Sequence, residues 1–184
     1  PGPVAIAGFL GLQVYLLLDC VDGEVARFTK SESVAGVYLD RWGHYVVEAS
    51  VFGALGVRAA DGTDQLGYMV LGMAGAFLAL LSKAETDLVD SARLHAGLGP
   101  VPDAAVAMQH GGLAAGRRLA DFVPLHRVVH ATEASVLAAA AIVVDAVRDD
   151  LWATRALLLS IVVVVALVVP LHLVSILNSR RLKG

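Results

Sequence analysis

The longest apolar stretch of the chain lies near its carboxyl end. Residues 157–177 read LLLSIVVVVALVVPLHLVSIL, in which a histidine is the one ionisable side chain. A helix needs about 20 mostly apolar residues to cross the hydrocarbon of a bilayer, so this stretch is long enough to span one. Composition agrees, because 57% of the 184 residues are hydrophobic and 17% are charged, whereas about 25% are charged in a soluble domain. The sequence therefore predicts a membrane protein.

Four further stretches are long and apolar enough to be spans. Together they predict an all-α, polytopic transmembrane bundle that forms a single domain over residues 1–184. The five predicted spans cover residues 3–22, 36–60, 66–84, 127–147 and 152–178. Residues 85–126, between the third and fourth spans, are predicted to be a loop. The net charge of −3 gives no electrostatic reason to expect a nucleic-acid partner.

The distribution of basic residues predicts the orientation in the membrane. The five spans place the loops at 23–35 and 85–126 and the carboxyl end on the same side of the membrane. Eleven of the 14 lysines and arginines lie on this side. Cytoplasmic segments of membrane proteins carry an excess of lysine and arginine. We therefore expect this side to face the cytoplasm, and we expect the membrane to be that of a bacterial cell.

Ionisable residues cluster where the first two spans meet the predicted cytoplasmic side. Asp19 and Asp22 lie three residues apart, and Asp40 and His44 lie four apart. Residues three or four apart share a face of a helix, so packing of the two helices would bring these side chains together. Three carboxylates in one apolar pocket repel one another, and a divalent cation such as Mg²⁺ or Mn²⁺ would relieve that repulsion. The alternative is that each carboxylate is a solvated interfacial charge or a helix cap.

The same segment resembles the signature of the CDP-alcohol phosphotransferase family. The signature reads Asp, two residues, Asp-Gly, two residues, Ala-Arg, eight residues, Gly, three residues, Asp, three residues, Asp. Its first seven fixed positions are matched, with every spacing kept, by Asp19, Asp22, Gly23, Ala26, Arg27, Gly36 and Asp40. The signature covers residues 19–44, and the helical layout extends the resemblance over most of the chain.

The resemblance implies a reaction used in phospholipid biosynthesis. A CDP-linked donor, either CDP-diacylglycerol or a soluble CDP-alcohol, passes its substituted phosphate to an acceptor hydroxyl and releases CMP. Family members have six transmembrane helices and usually form homodimers. Because the signature here follows the first predicted span rather than the second, the family's first helix is expected to be absent from this chain.

The resemblance also implies roles for the matched residues. The ligands of the divalent metal, Mg²⁺ or Mn²⁺, would be Asp19, Asp22 and Asp40. The nucleotide of the donor would be bound by Gly23, Ala26, Arg27 and Gly36.

The chain departs from the signature at its last position, where His44 replaces an aspartate that is credited in the family with taking the acceptor's proton. Three interpretations follow. His44 is the base, since the ordinary pKa of imidazole is about 6.5; or it is a neutral metal ligand; or it marks an inactive relative. Glu48 lies one turn further along the same face. Its carboxylate either orients the His44 ring and raises its basicity, or pairs with another polar residue, or lines a water-filled cavity.

A basic stretch before the fourth span is the candidate acceptor site. Arg127 and His130 are the first choices for binding a phosphate of the acceptor or donor, and Glu133 is a candidate for binding acceptor hydroxyls. The alternative is that the basic residues anchor this segment at anionic headgroups.

Two other functions compete with the transferase. A transporter is the first, since intramembrane carboxylates also mark ion paths. A transporter would have polar residues along several helices at mid-membrane depth. The acidic residues here cluster instead at the cytoplasmic ends of the first two predicted spans. The second is a catalytically inactive relative that binds a CDP-linked donor, which the replacement at His44 keeps open.

Overall fold

The computed structural model describes residues 3–62, 64–99, 131–179 and 181–182, and nearly all of these residues are helical. The five helices are α1 (Pro3–Thr29), α2 (Val34–Ala60), α3 (Leu66–His95), α4 (Ala131–Arg148) and α5 (Trp152–Asn178). The prediction of an all-α chain is confirmed for this described part.

Three of these helices are long and apolar enough to cross a membrane: α1 from Val4 onward, α3 and α5. This supports the prediction of a membrane protein. The other two helices, α2 and α4, carry charged residues that pair with neighbouring helices. Glu48 of α2 pairs with Lys83 of α3, and Arg58 of α2 pairs with Asp145 of α4. Pairing lowers the cost of placing charge inside an apolar bundle.

The closest helix contact joins α2 to α3, and glycine makes it possible. A Cβ atom added at Gly56 would lie 2.9 Å from the Cα of Gly72, and one added at Gly72 would lie 2.7 Å from the Cα of Gly56. Small residues at a crossing point let two backbones approach in this way. One turn away, a Cβ atom at Gly75 would lie 2.6 Å from the Phe52 ring. These contacts set the distance between α2 and α3 at their crossing point.

The apolar core forms where α5 packs against the α2–α3 pair. Phe52 of α2 is 1% exposed, and Leu158 and Val165 of α5 are fully buried beside it in one cluster. Ala134 of α4 belongs to the same cluster. The core thus lies between α2, α3, α4 and α5.

A buried polar network ties the chain together at the end of the bundle that holds the α2–α3 and α4–α5 turns. The Asp145 carboxylate accepts hydrogen bonds from the backbone N–H groups of Ala153 and Thr154, at 2.8 and 3.3 Å. It also accepts a hydrogen bond from the Thr154 hydroxyl and pairs with Arg58 at 3.2 Å. Asp145 therefore caps the first turn of α5 from the preceding helix.

The first helix is the least embedded of the five. It packs on α4, where the Gln13 amide donates a hydrogen bond of 3.0 Å to the buried Ser135 hydroxyl. None of the apolar window of α1 is buried. In a bilayer, most of this helix would contact lipid.

Two helices extend further than the predicted spans. α1 continues past residue 22 to Thr29, and α3 continues past residue 84 to His95. The beginnings of the predicted loops 23–35 and 85–126 are therefore helical. In α3 the reason is that its polar residues find partners on other elements: Glu85 lies 2.9 Å from His172 of α5, and Arg93 donates to the carbonyl oxygens of Gly99 and Arg181.

Candidate metal centre

A tight turn between α1 and α2 brings the signature residues together. Lys30 takes the left-handed conformation, with a φ of 53°, and lets the chain reverse. The Ser33 hydroxyl then accepts a hydrogen bond of 3.0 Å from the backbone N–H of Gly36 and caps α2. After this reversal, Asp19 of α1 lies close to His44 of α2.

Three ionisable side chains converge across these two helices. The Nε2 atom of His44 lies 3.8 Å from Oδ2 of Asp19 and 4.0 Å from Oδ1 of Asp40. The side chain of Asp19 is 19% exposed, that of His44 is 37% exposed and that of Asp40 is 53% exposed. The group is thus open on one side, where a substrate could approach.

The geometry and chemistry of these three groups fit a divalent cation. One atom from each of Asp19, Asp40 and His44 lies within 4.8 Å of the others, so small side-chain rotations would place all three around one ion. Two carboxylate oxygens and one imidazole nitrogen suit Mn²⁺ and related first-row metals, and oxygen ligands suit Mg²⁺. Three protein ligands also leave coordination positions for phosphate oxygens.

The remaining predicted ligand and donor-binding residues lie one or two turns further along α1, except Gly36, which lies in the first turn of α2. Asp22 is exposed and is not among the three converging residues. Arg27 pairs with Glu24 at 2.8 Å, and its guanidinium lies 3.6 Å from where a Cβ atom at Gly23 would be. Gly23 therefore leaves room beside Arg27. The other two, Ala26 and Gly36, lie on either side of the α1–α2 turn.

Glu48 lies one turn deeper in α2 than His44, and its partner in the structure is Lys83. Its Oε1 atom lies 2.9 Å from the Lys83 ammonium, and its side chain is 5% exposed. This contact corresponds to the second interpretation of Glu48, in which it pairs with another polar residue. The orienting role for His44 stays a prediction.

The candidate acceptor residues fall mostly in the undescribed part of the chain. Arg127 and His130 lie outside the described residues. Glu133 lies in the first turn of α4 and is partly buried. The acceptor role of these three residues stays a prediction.

Sequence reasoning missed two polar features near the centre. Tyr15 precedes Asp19 by one turn of α1, and a Cβ atom at Gly43 would lie 2.6 Å from the Tyr15 hydroxyl. The absence of a side chain at Gly43 thus makes room for Tyr15 next to His44. Tyr15 and Asp19 are four residues apart and therefore share a face of α1. This spacing could have indicated that Tyr15 lies near the centre.

The second missed feature is a polar layer that joins α2 to α3 beside the centre. Asp87 accepts hydrogen bonds from Arg41 at 2.8 Å and from the Tyr45 hydroxyl at 2.9 Å. Arg41 also lies 3.8 Å from Asp90. Arg41 directly follows Asp40 in the sequence, so this layer restrains the turn of α2 that carries both Asp40 and His44.

Comparison with protein-family models, with curated proteins and with solved structures found no match. The functional argument therefore depends on the residues of the signature and on their arrangement.

Proposed function

We propose that the protein is a metal-dependent transferase of the CDP-alcohol phosphotransferase type. In the reaction, the acceptor's hydroxyl oxygen forms a bond to the donor's substituted phosphate, the bond from that phosphorus to CMP breaks, and the acceptor loses its hydroxyl proton. The observation that carries the proposal is the convergence of Asp19, Asp40 and His44 from two helices. These are three of the signature positions, and they meet at a partly open site.

In this proposal Asp19, Asp40 and His44 hold the divalent cation, and the family resemblance adds Asp22 as a further ligand. When bound, the cation would neutralise charge that develops on the leaving CMP and would orient the donor phosphates. The carboxylates also exclude other anions from the site until the cation is bound, because uncompensated negative charge repels a pyrophosphate.

The donor nucleotide would lie along the end of α1, against Gly23, Ala26 and Arg27, with Gly36 facing it across the turn. Arg27 is available for this role because its ion pair with Glu24 is exposed. An exposed pair of this kind contributes little to stability. The guanidinium can therefore exchange Glu24 for a phosphate group, which binds arginine more strongly through two parallel hydrogen bonds.

The position of His44 favours the ligand interpretation over the base interpretation. Its Nε2 atom faces both Asp19 and Asp40, and a nitrogen that binds a cation has no lone pair left to take a proton. We therefore assign His44 to the metal site, with the acceptor's proton passing to another group or to water. A base role for His44 predicts instead that its loss lowers turnover far more than it lowers metal affinity.

The proposal places the site at the cytoplasmic face of a cell membrane, where CDP-linked donors are made. It includes a sixth helix, which would precede α1, and a homodimer, as the family resemblance implies. The exposed apolar length of α1 is compatible with such a neighbour. CDP-diacylglycerol or a soluble CDP-alcohol would be the donor, and the acceptor would be a polar alcohol.

The test is CMP release by the full-length protein in lipid nanodiscs with Mn²⁺ or Mg²⁺. CDP-diacylglycerol and soluble CDP-alcohols are each offered with a panel of acceptors such as glycerol phosphate, inositol phosphate and serine. We expect metal-dependent release that is lost in Asp19→Asn and Asp40→Asn. Asp64→Asn, at an exposed position at the opposite end of the bundle, is the matched control and should keep full activity.

Two outcomes would reject the proposal in different ways. Metal-dependent binding of a CDP-linked donor with no CMP release under any pairing would identify an inactive relative. Absence of donor binding, together with metal uptake into sealed vesicles that depends on Asp19, would identify a transporter.

A further inference from the structure

A cavity lies at the end of the bundle opposite to Asp19, Asp40 and His44. Its volume is about 440 Å³, within the range of about 300–1,000 Å³ that is usual for ligand pockets. It is lined by residues from the start of α3 and from the α4–α5 turn and the first turns of α5, among them Tyr68, Asp150, Trp152, Arg155, Ala156 and Leu159. None of these residues has a role in the proposed transferase.

Arg155 is held in place at the wall of this cavity by two contacts. Its Nε atom donates a hydrogen bond of 3.0 Å to the carbonyl oxygen of Ala59. Its guanidinium also lies 5.2 Å from the centre of the Tyr68 ring, a distance at which the aromatic face attracts a cation. An arginine that is positioned in advance loses less conformational entropy when it binds an anion.

The groups that line the cavity favour an anionic ligand over a cationic one, because both aromatic rings already contact a cation. Arg155 lies over the Tyr68 ring, and Arg148 lies 5.2 Å from the centre of the Trp152 ring. Asp150 pairs with Arg148 at 3.0 Å, and Arg155 is the one cation among the described residues that line the cavity.

The walls further along α5 are apolar. Ala156 and Leu159 lie one turn beyond Trp152 and Arg155, and Leu159 is 46% exposed. They belong to a helix that is long and apolar enough to cross a membrane. A tryptophan and an arginine at the end of such a helix are typical of the headgroup level of a bilayer. The cavity therefore has a charged end at headgroup level and an apolar end toward the hydrocarbon.

From this arrangement we propose that the cavity binds an anionic phospholipid. Arg155 binds the phosphate group, and an acyl chain lies along Ala156 and Leu159. The site belongs to the leaflet opposite to the Asp19–Asp40–His44 centre, and the proposal is independent of the transferase reaction.

The two tryptophans of the chain allow a direct test. In the 184-residue chain with Trp42→Phe, Trp152 is the one tryptophan and reports from the cavity. This chain is placed in phosphatidylcholine nanodiscs that contain rising fractions of phosphatidylglycerol with brominated chains, which quench tryptophan fluorescence on contact. We expect quenching, measured relative to unbrominated discs, to saturate at a lower lipid fraction than random mixing predicts.

Two variants separate a defined site from general attraction to the surface. Arg155→Gln should raise the half-saturating lipid fraction by about fivefold, as expected for one arginine acting on an anionic lipid. Asp149→Asn changes the charge of the same end by one unit at an exposed position that does not line the cavity, and it should change the fraction by less than about twofold. An effect of Asp149→Asn as large as that of Arg155→Gln, or quenching that follows random mixing, would overturn the proposal.

A third variant and a soluble competitor complete the design. Ala156→Phe fills the apolar end without altering charge and should weaken quenching by the brominated lipid, even if Arg155→Gln impairs folding. Free glycerol phosphate should not relieve the quenching. Relief by glycerol phosphate at millimolar concentration would show a soluble-phosphate site and reject the lipid.

Discussion

The Lys83 ammonium lies 2.9 Å from the buried carboxylate of Glu48 and connects α3 to α2 one turn below His44. Lys83 lies in a helix that is long and apolar enough to span a membrane, and its side chain is 26% exposed. A buried carboxylate left without its cationic partner is strongly disfavoured. The pair therefore joins the helix that carries the candidate centre to the rest of the bundle.

The first prediction concerns this pair. Lys83→Met should lower the free energy of unfolding by about 3 kcal/mol, because the buried Glu48 carboxylate loses its contact with the Lys83 ammonium. The double variant Lys83→Met, Glu48→Gln should recover most of that loss, since it removes both charges. Thermal unfolding in a mild detergent measures both. Lys30→Met, at an exposed lysine in the α1–α2 turn, is the control, and a loss as large as that of Lys83→Met would contradict the assignment.

The second prediction concerns the glycine contact between α2 and α3. Gly72→Ala should destabilise the protein by about 1–3 kcal/mol, because its Cβ atom would meet backbone atoms of α2 that cannot move independently. Gly67→Ala, in the first turn of the same helix, has nothing within 4 Å of the new atom. It should be neutral or slightly stabilising. Equal melting temperatures for the two variants would argue against the close α2–α3 contact.

The third prediction concerns the cap of α5. Asp145→Asn keeps the size of the side chain but removes the charge that pairs with Arg58, and the partly buried arginine loses that ion pair. We expect a loss of about 3 kcal/mol, measured by thermal unfolding. Asp149→Asn, in the exposed turn that follows α4, should cost less than about 0.5 kcal/mol. A mild effect of Asp145→Asn would show that the network contributes little.

The fourth prediction concerns pH and the α4–α5 turn. Hydrogen bonds from the Arg148 guanidinium and from the backbone N–H of Trp152 hold the pKa of the Asp150 carboxyl below its usual value. The ionised form thus adds stability that is complete above pH of about 4, the usual pKa of an unfolded aspartate, and that is lost as the pH falls through the lower folded value. The difference in melting temperature between the native chain and Asp150→Asn should be constant from pH 5 to 7 and shrink in acid. A difference that grows on acidification would contradict this.

The fifth prediction concerns the choice of metal and depends on the proposed function. His44→Asp restores the aspartate of the family signature and replaces a nitrogen ligand by oxygen, so binding should shift toward Mg²⁺ relative to Mn²⁺. Electron paramagnetic resonance of bound Mn²⁺, with Mg²⁺ as competitor, measures the shift. His95→Asp, at an exposed histidine at the end of α3, should leave the ratio unchanged. No change in His44→Asp would mean that His44 does not bind the metal.

Apolar length was sufficient to predict the helices. Residue spacing predicts that Asp19, Asp22, Asp40 and His44 converge, but Asp22 is exposed and lies outside the group that the other three form. Spacing places residues on one face of a helix, whereas packing decides which of them meet the neighbouring helix. The sequence could not predict that Lys83 contacts Glu48, because this contact depends on how α3 packs on α2. The depth of that packing is fixed by Gly56 and Gly72, whose contact is made only in the folded bundle.

The residues at which the helices end were harder to predict for a similar reason. A change from apolar to charged residues marks the edge of a span and predicts that the loop 85–126 begins there. Glu85, Asp87 and Arg93 instead continue α3 because α2, α5 and the carboxyl-terminal segment offer them partners. Such partners are far away in the sequence and leave no local signal.

The weak attachment of α1 has a thermodynamic consequence for the candidate centre. Asp19 is carried by a helix with an exposed apolar length, whereas Asp40 and His44 are carried by a helix held tightly against α3. A cation bound by all three would therefore act as a crosslink between a loosely held helix and a firmly held one. By linkage, such an ion stabilises the arrangement in which α1 is docked. Loading with metal would then slow amide hydrogen exchange at the carboxyl end of α1 more than anywhere in α3.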